Sequence, residues 1–227
     1  MAQATDLQQA FLEDGEDIRP PAGELWSDEP PLESDLHREQ IDLLIQLLKW
    51  WWRDQDNVYV SGNLTVYYDA QQITTRNFRG PDFFVVKDTD KKDRKSWVVW
   101  REGGRYPDFI LEILSDSTAQ VDRVTKKALY QDTFRTPEYF WFDPATLELK
   151  GFSLIRGLYQ PIEAIDNQCW SEELGLYIGL HNNKLRFFTP EGELIPSAEE
   201  RATQAEQQLT QLKAQLRAQG IEPDIEA

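Results

Sequence analysis

The hydrophobic and polar positions of the chain repeat at helical spacing near both ends and form short strand-like runs between them. From 34 to 53, after the N-cap candidate Ser34, apolar residues recur every three or four positions, which predicts an amphipathic helix. The runs that follow are short and apolar: "NVYV", "LTVYY", "DFFVV", "WVVW", "DFILEIL" and "EYFWF". The turn "SGN" at 61–63 predicts a β-hairpin between the first two. With a second helix predicted over 121–132, this order indicates an α/β fold whose mixed sheet is flanked by helices.

Changes in composition divide the chain into three parts. Residues 1–33 are acidic and broken by prolines, which predicts an extended or partly disordered lead-in, and residues 34–195 carry the predicted domain. Residues 196–227 predict a C-terminal helix whose apolar residues alternate steps of three and four, namely Ala202, Ala205, Leu209, Leu212 and Leu216. About two heptads are too short to be stable alone, so this seam predicts either a homodimer contact or a helix packed on its own domain.

Charge and composition narrow the classes of function. The net charge of −16 argues against a general nucleic-acid coat, so contact with DNA would need a local basic patch or a metal. The segment 87–105 is locally basic, and its candidates for nucleic-acid contact are Lys91, Lys92, Arg94 and Lys95. The alternative is a solvated loop that balances an acidic protein. A single cysteine, Cys169, and the lack of a long apolar run predict a cytoplasmic protein without a membrane span.

Carboxylates at the predicted strands are the candidate chemistry. Glu112 interrupts the apolar run "DFILEIL", where an unpaired carboxylate would cost several kcal/mol. Asp82 and Asp108 each open an apolar run in the tripeptide "PDF", and Asp108 shares a strand face with Glu112. If the two strands pair, two or three carboxylates converge, with Asp108 as either a ligand or a strand-start cap. Carboxylates held this close repel one another unless a cation lies between them. Ligands that are all oxygen atoms favour Mg²⁺ or Mn²⁺ over zinc.

The order of these motifs carries a resemblance to a known family. The segments "PDFFVVKD", "YPDFILEILSDSTAQVDRVTKKALYQ" and "PEYFWFDP" resemble the Uma-two family of restriction-endonuclease-like proteins, which belongs to the PD-(D/E)xK nuclease superfamily. The resemblance implies a restriction-endonuclease-like sheet and metal-dependent cleavage of DNA. It implies that Asp82 and Glu112 hold the metal and that Lys126 replaces the signature lysine, because Leu114 stands where that lysine is expected.

The helical pattern over 121–132 disagrees with this role of Lys126. On an α-helical wheel the apolar side is formed by Val121, Val124 and Ala128. Lys126, Lys127 and Tyr130 then fall on the opposite side, which predicts solvent exposure for both lysines. They would reach a site only if the helix begins at its rim or if the register bends near 121. His37, on the first helix, is likewise predicted to be exposed.

Three functions remain open from the sequence. The first is a Mg²⁺-dependent endonuclease that acts on DNA. The second is a nuclease-derived domain that no longer cuts and serves as a dimeric interaction or nucleic-acid-binding module. The third is an unrelated metal-dependent phosphohydrolase that uses the same carboxylates on a small substrate. Metal binding separates the second from the other two, and the size of the substrate separates the first from the third.

Overall fold

The computed structural model describes residues 34–69, 78–115 and 121–219, so the lead-in predicted for residues 1–33 lies outside the described residues. The helices are α1 (Asp35–Trp51), α2 (residues 121–134) and α3 (Ala198–Ala218), with a short 3-10 turn at Val99–Arg101. None of these described helices is long and apolar enough to cross a membrane. The strands are β1 (Val58–Ser61), β2 (Val66–Tyr67), β3 (Phe78–Arg79), β4 (Phe83–Lys87), β5 (Trp97–Val98), β6 (Phe109–Ile113), β7 (Glu138–Asp143), β8 (Glu148–Ile155), β9 (Leu158–Ile162), β10 (Ala164–Ile165), β11 (Gln168–Ser171), β12 (Leu176–His181) and β13 (Lys184–Phe188).

The central sheet has six strands in the order β1-β4-β6-β7-β8-β9. Strands β6 and β7 run parallel, whereas the other neighbouring pairs of this sheet are antiparallel. A four-stranded antiparallel sheet, β10 to β13, and a three-stranded sheet in the order β3-β2-β5 accompany it. The structure therefore confirms the predicted α/β fold with a mixed sheet and flanking helices.

The two faces of the central sheet carry separate apolar layers. On one face, α1 and the four-stranded sheet pack on Phe109 and Leu111 of β6. On the other face, Tyr130 of α2 packs in one cluster with Ile110. This alternation confirms the predicted period of two along β6, and it places Glu112 on the face covered by α2.

Helix α1 begins where the sequence predicted. The Ser34 side chain accepts a hydrogen bond from the amide of His37 at 3.2 Å, which caps the helix. The side-chain amide of Gln40 donates to the carbonyl of Leu185 and accepts from its amide, at 3.1 and 2.9 Å. The first turns of α1 are thereby held against β13. Its buried residues recur at helical spacing and are His37, Gln40, Ile41, Leu44, Leu47 and Leu48.

The predicted hairpin at 61–63 is wrong, because the two runs join different sheets. Strand β1 pairs with β4, whereas β2 pairs with β3 and β5. Gly62 lies against the main chain that leads into β4, where an added Cβ would be 2.2 Å from the carbonyl oxygen of Asp82. The amide of Asn63 donates to the carbonyls of Pro81 and Asp82, at 3.0 and 3.2 Å. The turn therefore braces the residue that precedes β4.

Helix α3 confirms the predicted C-terminal helix. Ser197 and Glu200 form a capping box at its start. The guanidinium of Arg186, in β13, donates to both carboxylate oxygens of Glu200, at 3.0 and 2.6 Å. These bonds lower the pKa of Glu200 to about 2. No residue of α3 is buried, so within the described chain the helix does not pack along its own domain.

Candidate active site

The candidate site is built on two carboxylates at neighbouring strand ends. In the antiparallel register of β4 and β6, Phe83 lies opposite Leu111, so the preceding Asp82 comes opposite Glu112. The amide of Ile113 donates to Oδ2 of Asp82 at 2.7 Å, and the amide of Asp82 lies 3.4 Å from Oε2 of Glu112. Glu112 is fully buried, and Asp82 is 9% exposed. The structure therefore brings together these two residues, as the sequence predicted.

Helix α2 supplies the partners of Glu112. The Nζ atom of Lys126 lies 3.0 Å from Oε2, and the hydroxyl of Tyr130 donates to Oε1 at 2.7 Å. The Lys126 side chain is 17% exposed, so its ammonium reaches the site from the rim. A buried carboxylate is stable only when it is paired and hydrogen-bonded, and these two contacts meet that need. The predicted proximity of Lys126 to the carboxylates is therefore present.

The helical wheel of this segment was wrong about which side of α2 is buried. Residues Val121–Lys126 and Tyr130–Phe134 form π-helical turns around a short α-helical turn, yet Lys126 and Tyr130 still share one side, as the wheel had placed them. Val124, placed on the apolar side by the wheel, is 63% exposed. The buried side carries Tyr130 and Phe134. Two large aromatic rings, rather than valine and alanine, thus decide which side of α2 faces the sheet, and Lys126 lies four residues before the first ring.

His37 was predicted to be exposed, and the structure shows that this was wrong. Its side chain is 9% exposed, and Nε2 lies 3.0 Å from Oδ2 of Asp82. The signal was present in the sequence, because His37 precedes Ile41 and Leu44 at the spacing of the buried face. The imidazole and the Ile113 amide meet at the same oxygen of Asp82. Together they orient this carboxylate toward the end of β6.

Asp108 does not join the carboxylate pair. It precedes β6, four residues before Glu112, which corresponds to about 13 Å along an extended strand. Its Oδ2 accepts a hydrogen bond from the amide of Lys87 at 2.7 Å. Burial raises the pKa of Asp108, and the bond from Lys87 acts in the opposite direction. Its placement fits the alternative of a strand-start cap and does not fit a ligand shared with Asp82.

The basic segment is only partly available to a nucleic acid. Arg94 has a side chain that is 3% exposed, pairs with Glu102 at 2.7 Å and lies 4.5 Å from the ring centroid of Tyr59. Lys91 donates to the carbonyls of Gln55 and Trp52, in the turn that follows α1, at 2.6 and 2.9 Å. Lys92 and Lys95 are exposed. A direct DNA contact by Arg94 is therefore a correction to the prediction, because its guanidinium is used inside the protein.

Lys91 and Lys92 of this segment line a groove at the edge of the central sheet. The groove has a volume of about 610 Å³ and lies beside β1. It is lined by residues that include Lys49, Trp52, Tyr59, Lys91, Lys92 and Arg94. Since β1 pairs with β4 so that Val58 lies opposite Lys87, the groove is at the end of β4 away from Asp82. The carboxylate pair and the basic groove are thus separate features of the molecule.

The donor atoms of the pair fit a hard divalent cation bound together with a substrate. Within residues 34–69, 78–115 and 121–219, no three histidine, cysteine or acidic side chains are grouped as a metal site. Mg²⁺ commonly uses only one or two carboxylates and completes its shell with water and substrate phosphates. Asp82 and Glu112 supply that number of carboxylates. Two oxygen donors without a thiolate do not suit a structural zinc site.

We expect Tyr130→Phe to lower the free energy of unfolding by about 2 kcal/mol, because a hydrogen bond to a buried charged acceptor is lost. Urea denaturation followed by tryptophan fluorescence measures the change. Tyr159→Phe is the matched control, since the buried hydroxyl of Tyr159 donates to the neutral carbonyl of Thr136 at 2.9 Å. Its expected cost is about 1 kcal/mol. An equal or smaller loss for Tyr130→Phe would contradict the role of Tyr130 as a partner of Glu112.

Comparisons with known proteins identify the family. A family model described as "Putative restriction endonuclease" matches residues 4–186, which sets the class of the protein. The chain belongs to this family, which is named Uma2, and the predicted resemblance is confirmed. A search of curated proteins gave no match. Among solved structures, a "putative nuclease belonging to DUF820" from Anabaena variabilis ATCC 29413 is similar, with 14% identity and a TM-score of 0.46 over 64% of this chain and 76% of that chain.

Proposed function

We propose that the protein is a Mg²⁺-dependent endonuclease that hydrolyses phosphodiester bonds in DNA, with Mn²⁺ as an alternative metal. One observation carries this proposal: two buried carboxylates, Asp82 and Glu112, meet at neighbouring strand ends with the ammonium of Lys126 3.0 Å from Glu112. Membership of a family described as "Putative restriction endonuclease" supports a nuclease. The reaction adds water across one P–O bond and leaves a phosphate monoester and a hydroxyl group.

Each residue of the site has a distinct part in this proposal. Asp82 and Glu112 would hold the metal, which when bound neutralises phosphate charge and lowers the pKa of a bound water. Lys126 carries a positive charge at the rim of the site, where it stabilises the charge that develops on the phosphate oxygens. Tyr130 and His37 keep the two carboxylates in position through Oε1 of Glu112 and Oδ2 of Asp82.

The proposed substrate is a polyanion, although the protein itself is acidic. With a net charge of −16, most of its surface repels DNA, and contact must be local. Lys92 and Lys95 are exposed on the basic segment and are the residues proposed for phosphate contact. Binding through a few such lysines falls as salt concentration rises, because condensed counterions are released from the DNA.

A second function is a nuclease-fold module that does not cut and binds a partner or a nucleic acid. One observation favours it: the oxygens of the pair already have protein partners. Oδ2 of Asp82 meets His37 and the Ile113 amide, and both oxygens of Glu112 meet α2. The folded site is therefore electrostatically compensated by the chain itself. Under this alternative the protein has no nuclease activity and the carboxylates are structural. Removing one of them then changes only the free energy of unfolding.

Nicking of supercoiled plasmid in Mg²⁺, in Mn²⁺ and in EDTA tests the endonuclease. We expect nicking with either metal and none in EDTA. Asp82→Asn is expected to lower the rate at least about 100-fold, because it removes a charged ligand of the metal. Asp108→Asn is the matched control and should retain the rate, since that carboxylate lies at the other end of β6. Absence of nicking in both metals, or equal losses in the two variants, would contradict the proposal.

A further inference from the structure

Helix α3 carries an apolar seam in which no residue is buried within the described chain. Its 21 residues correspond to a length of about 32 Å, and none of them is buried. Leu209 is 39% exposed and Leu212 is 48% exposed. The members of the seam follow steps of four and three and are Ala202, Ala205, Leu209, Leu212 and Leu216. A helix of this length with such a seam is marginal in water alone and is stabilised by pairing with another helix.

The start of α3 is fixed to the domain, so the seam has a defined direction. Arg186 is buried and holds the carboxylate of Glu200 through two hydrogen bonds. The guanidinium of Arg201 lies over the ring of Trp50 at 4.0 Å and donates to the carbonyl of Pro196 at 2.7 Å. These contacts involve the first turn only. The rest of the helix presents the seam as a preformed surface.

The charges beside the seam indicate which helix pairs with it, namely α3 of a second copy of the chain. Glu206 and Lys213 are seven residues apart, and each directly follows a seam residue, Ala205 or Leu212. Both therefore flank the same side of the seam, at equivalent heptad positions. In an antiparallel pair of two copies these positions meet, so Glu206 would face the partner's Lys213, and symmetry makes this pair twice.

The apolar layers agree with the same arrangement. In this register Leu209 would meet the partner's Leu212, and Leu216 would meet the partner's Ala205, so that a large residue faces a small one at the ends. A parallel pair would instead require Arg201 to face the partner's Glu206. Arg201 is already engaged by Trp50 and Pro196, which leaves the parallel arrangement without its cation. The charges thus favour the antiparallel pair.

We propose that α3 is the interface of a homodimer in which the two copies pair as an antiparallel coiled coil. The proposal does not depend on nuclease activity, because it concerns a helix remote in sequence from the carboxylate pair. Of the two alternatives that the sequence left open for the seam, a homodimer contact or a helix packed on its own domain, this is the first. The two domains would lie at opposite ends of the paired helices.

Sedimentation equilibrium of the full chain over a range of concentrations tests the dimer, without DNA or metal. We expect a monomer–dimer equilibrium for the wild type. Leu212→Glu is expected to raise the dissociation constant about 100-fold or more, because two apolar contacts are lost. Gln207→Glu adds the same charge on the side of α3 opposite the seam and should leave the constant unchanged. A monomeric wild type, or a dimer that persists in Leu212→Glu, would overturn the proposal.

Charge reversal tests the orientation. Glu206→Lys and Lys213→Glu are each expected to weaken the homodimer about tenfold, because two attractive pairs become repulsive. An equimolar mixture of the two variants should restore dimerisation, since both pairs in the mixed dimer again join opposite charges. Failure of the mixture to restore it, with a dimer present in the wild type, would overturn the antiparallel arrangement. Thermal unfolding of each variant shows whether its domain is intact.

Discussion

Glu112→Gln is expected to abolish metal-dependent nicking and to leave the protein folded. The substitution removes the charge that would hold the cation and keeps the shape and the acceptor oxygen that Tyr130 needs. A loss of about 4 kcal/mol of transition-state stabilisation corresponds to a rate about 1000-fold lower. The effect is the largest expected in this protein, because Glu112 is fully buried and contacts Lys126 as well.

Calorimetric titration of wild type and Glu112→Gln with Mg²⁺ and Mn²⁺, followed by plasmid nicking, distinguishes the endonuclease from the interaction module that does not cut. If wild type binds metal and nicks and the variant does neither, Glu112 is a metal ligand of an active enzyme. If wild type binds no metal and the variant is equally stable, the metal site is refuted and the interaction module is favoured. If wild type binds metal without nicking plasmid, DNA cleavage is refuted and a small phosphate ester becomes the substrate to test.

The matched control for this substitution is Glu138→Gln. Glu138 starts the neighbouring strand β7 and is 3% exposed, so it is also a glutamate buried in the central sheet. Its carboxylate accepts hydrogen bonds from the Ser171 hydroxyl and from the Glu172 amide, at the end of the sheet away from Asp82. Burial raises the pKa of Glu138, and this favours the neutral form that glutamine imitates. Nicking should survive in this variant, and an equal loss in both variants would indicate a general effect on the sheet.

Glu112, the central residue of the site, could be predicted because the free-energy cost of burying its carboxylate is evident from the sequence. A carboxylate in the middle of a short apolar run has no structural reason to be there, which singled out Glu112. The period of two then assigned the faces of β6 correctly. Asp82 was a candidate because its tripeptide opens an apolar run, but its place beside Glu112 depended on the pairing of the two strands, and its role came from the family resemblance. The inferences about Glu112 and the faces of β6 needed only local pattern and the energetic cost of burial.

The remaining residues of the site depend on tertiary geometry. Asp82 and Asp108 both open strands, but β4 and β6 are antiparallel, so the beginnings of these strands lie at opposite ends. Only the sense of pairing shows that Asp82 meets the end of β6 rather than its start. The wheel of α2 grouped Lys126 with Tyr130 correctly but took the side with valine and alanine as the buried one, whereas Tyr130 and Phe134 are the buried residues. The hairpin at 61–63 failed because β1 and β2 find partners far away in the chain.

Lys126→Met is expected to lower the rate of nicking about 100- to 1000-fold without weakening metal binding. Methionine keeps a long apolar side chain and removes the charge that lies 3.0 Å from Glu112. Metal affinity should be retained or rise, because a competing cation leaves the carboxylate. A fall in rate with metal binding preserved distinguishes this role from that of a ligand, for which both measurements fall together. A loss of metal binding would contradict it.

Lys127→Met is the control that the neighbouring residue provides. The Nζ atom of Lys127 lies 3.3 Å from the ring centroid of Phe152, and burial lowers the pKa of Lys127. This substitution removes the same charge one position along α2, so it should leave nicking near the wild-type rate. If Lys127→Met instead abolished nicking, the lysine of the site would have been assigned to the wrong residue. If neither variant lost activity, Lys126 would serve only to compensate the buried charge of Glu112, and the ion pair would be a structural element of the sheet.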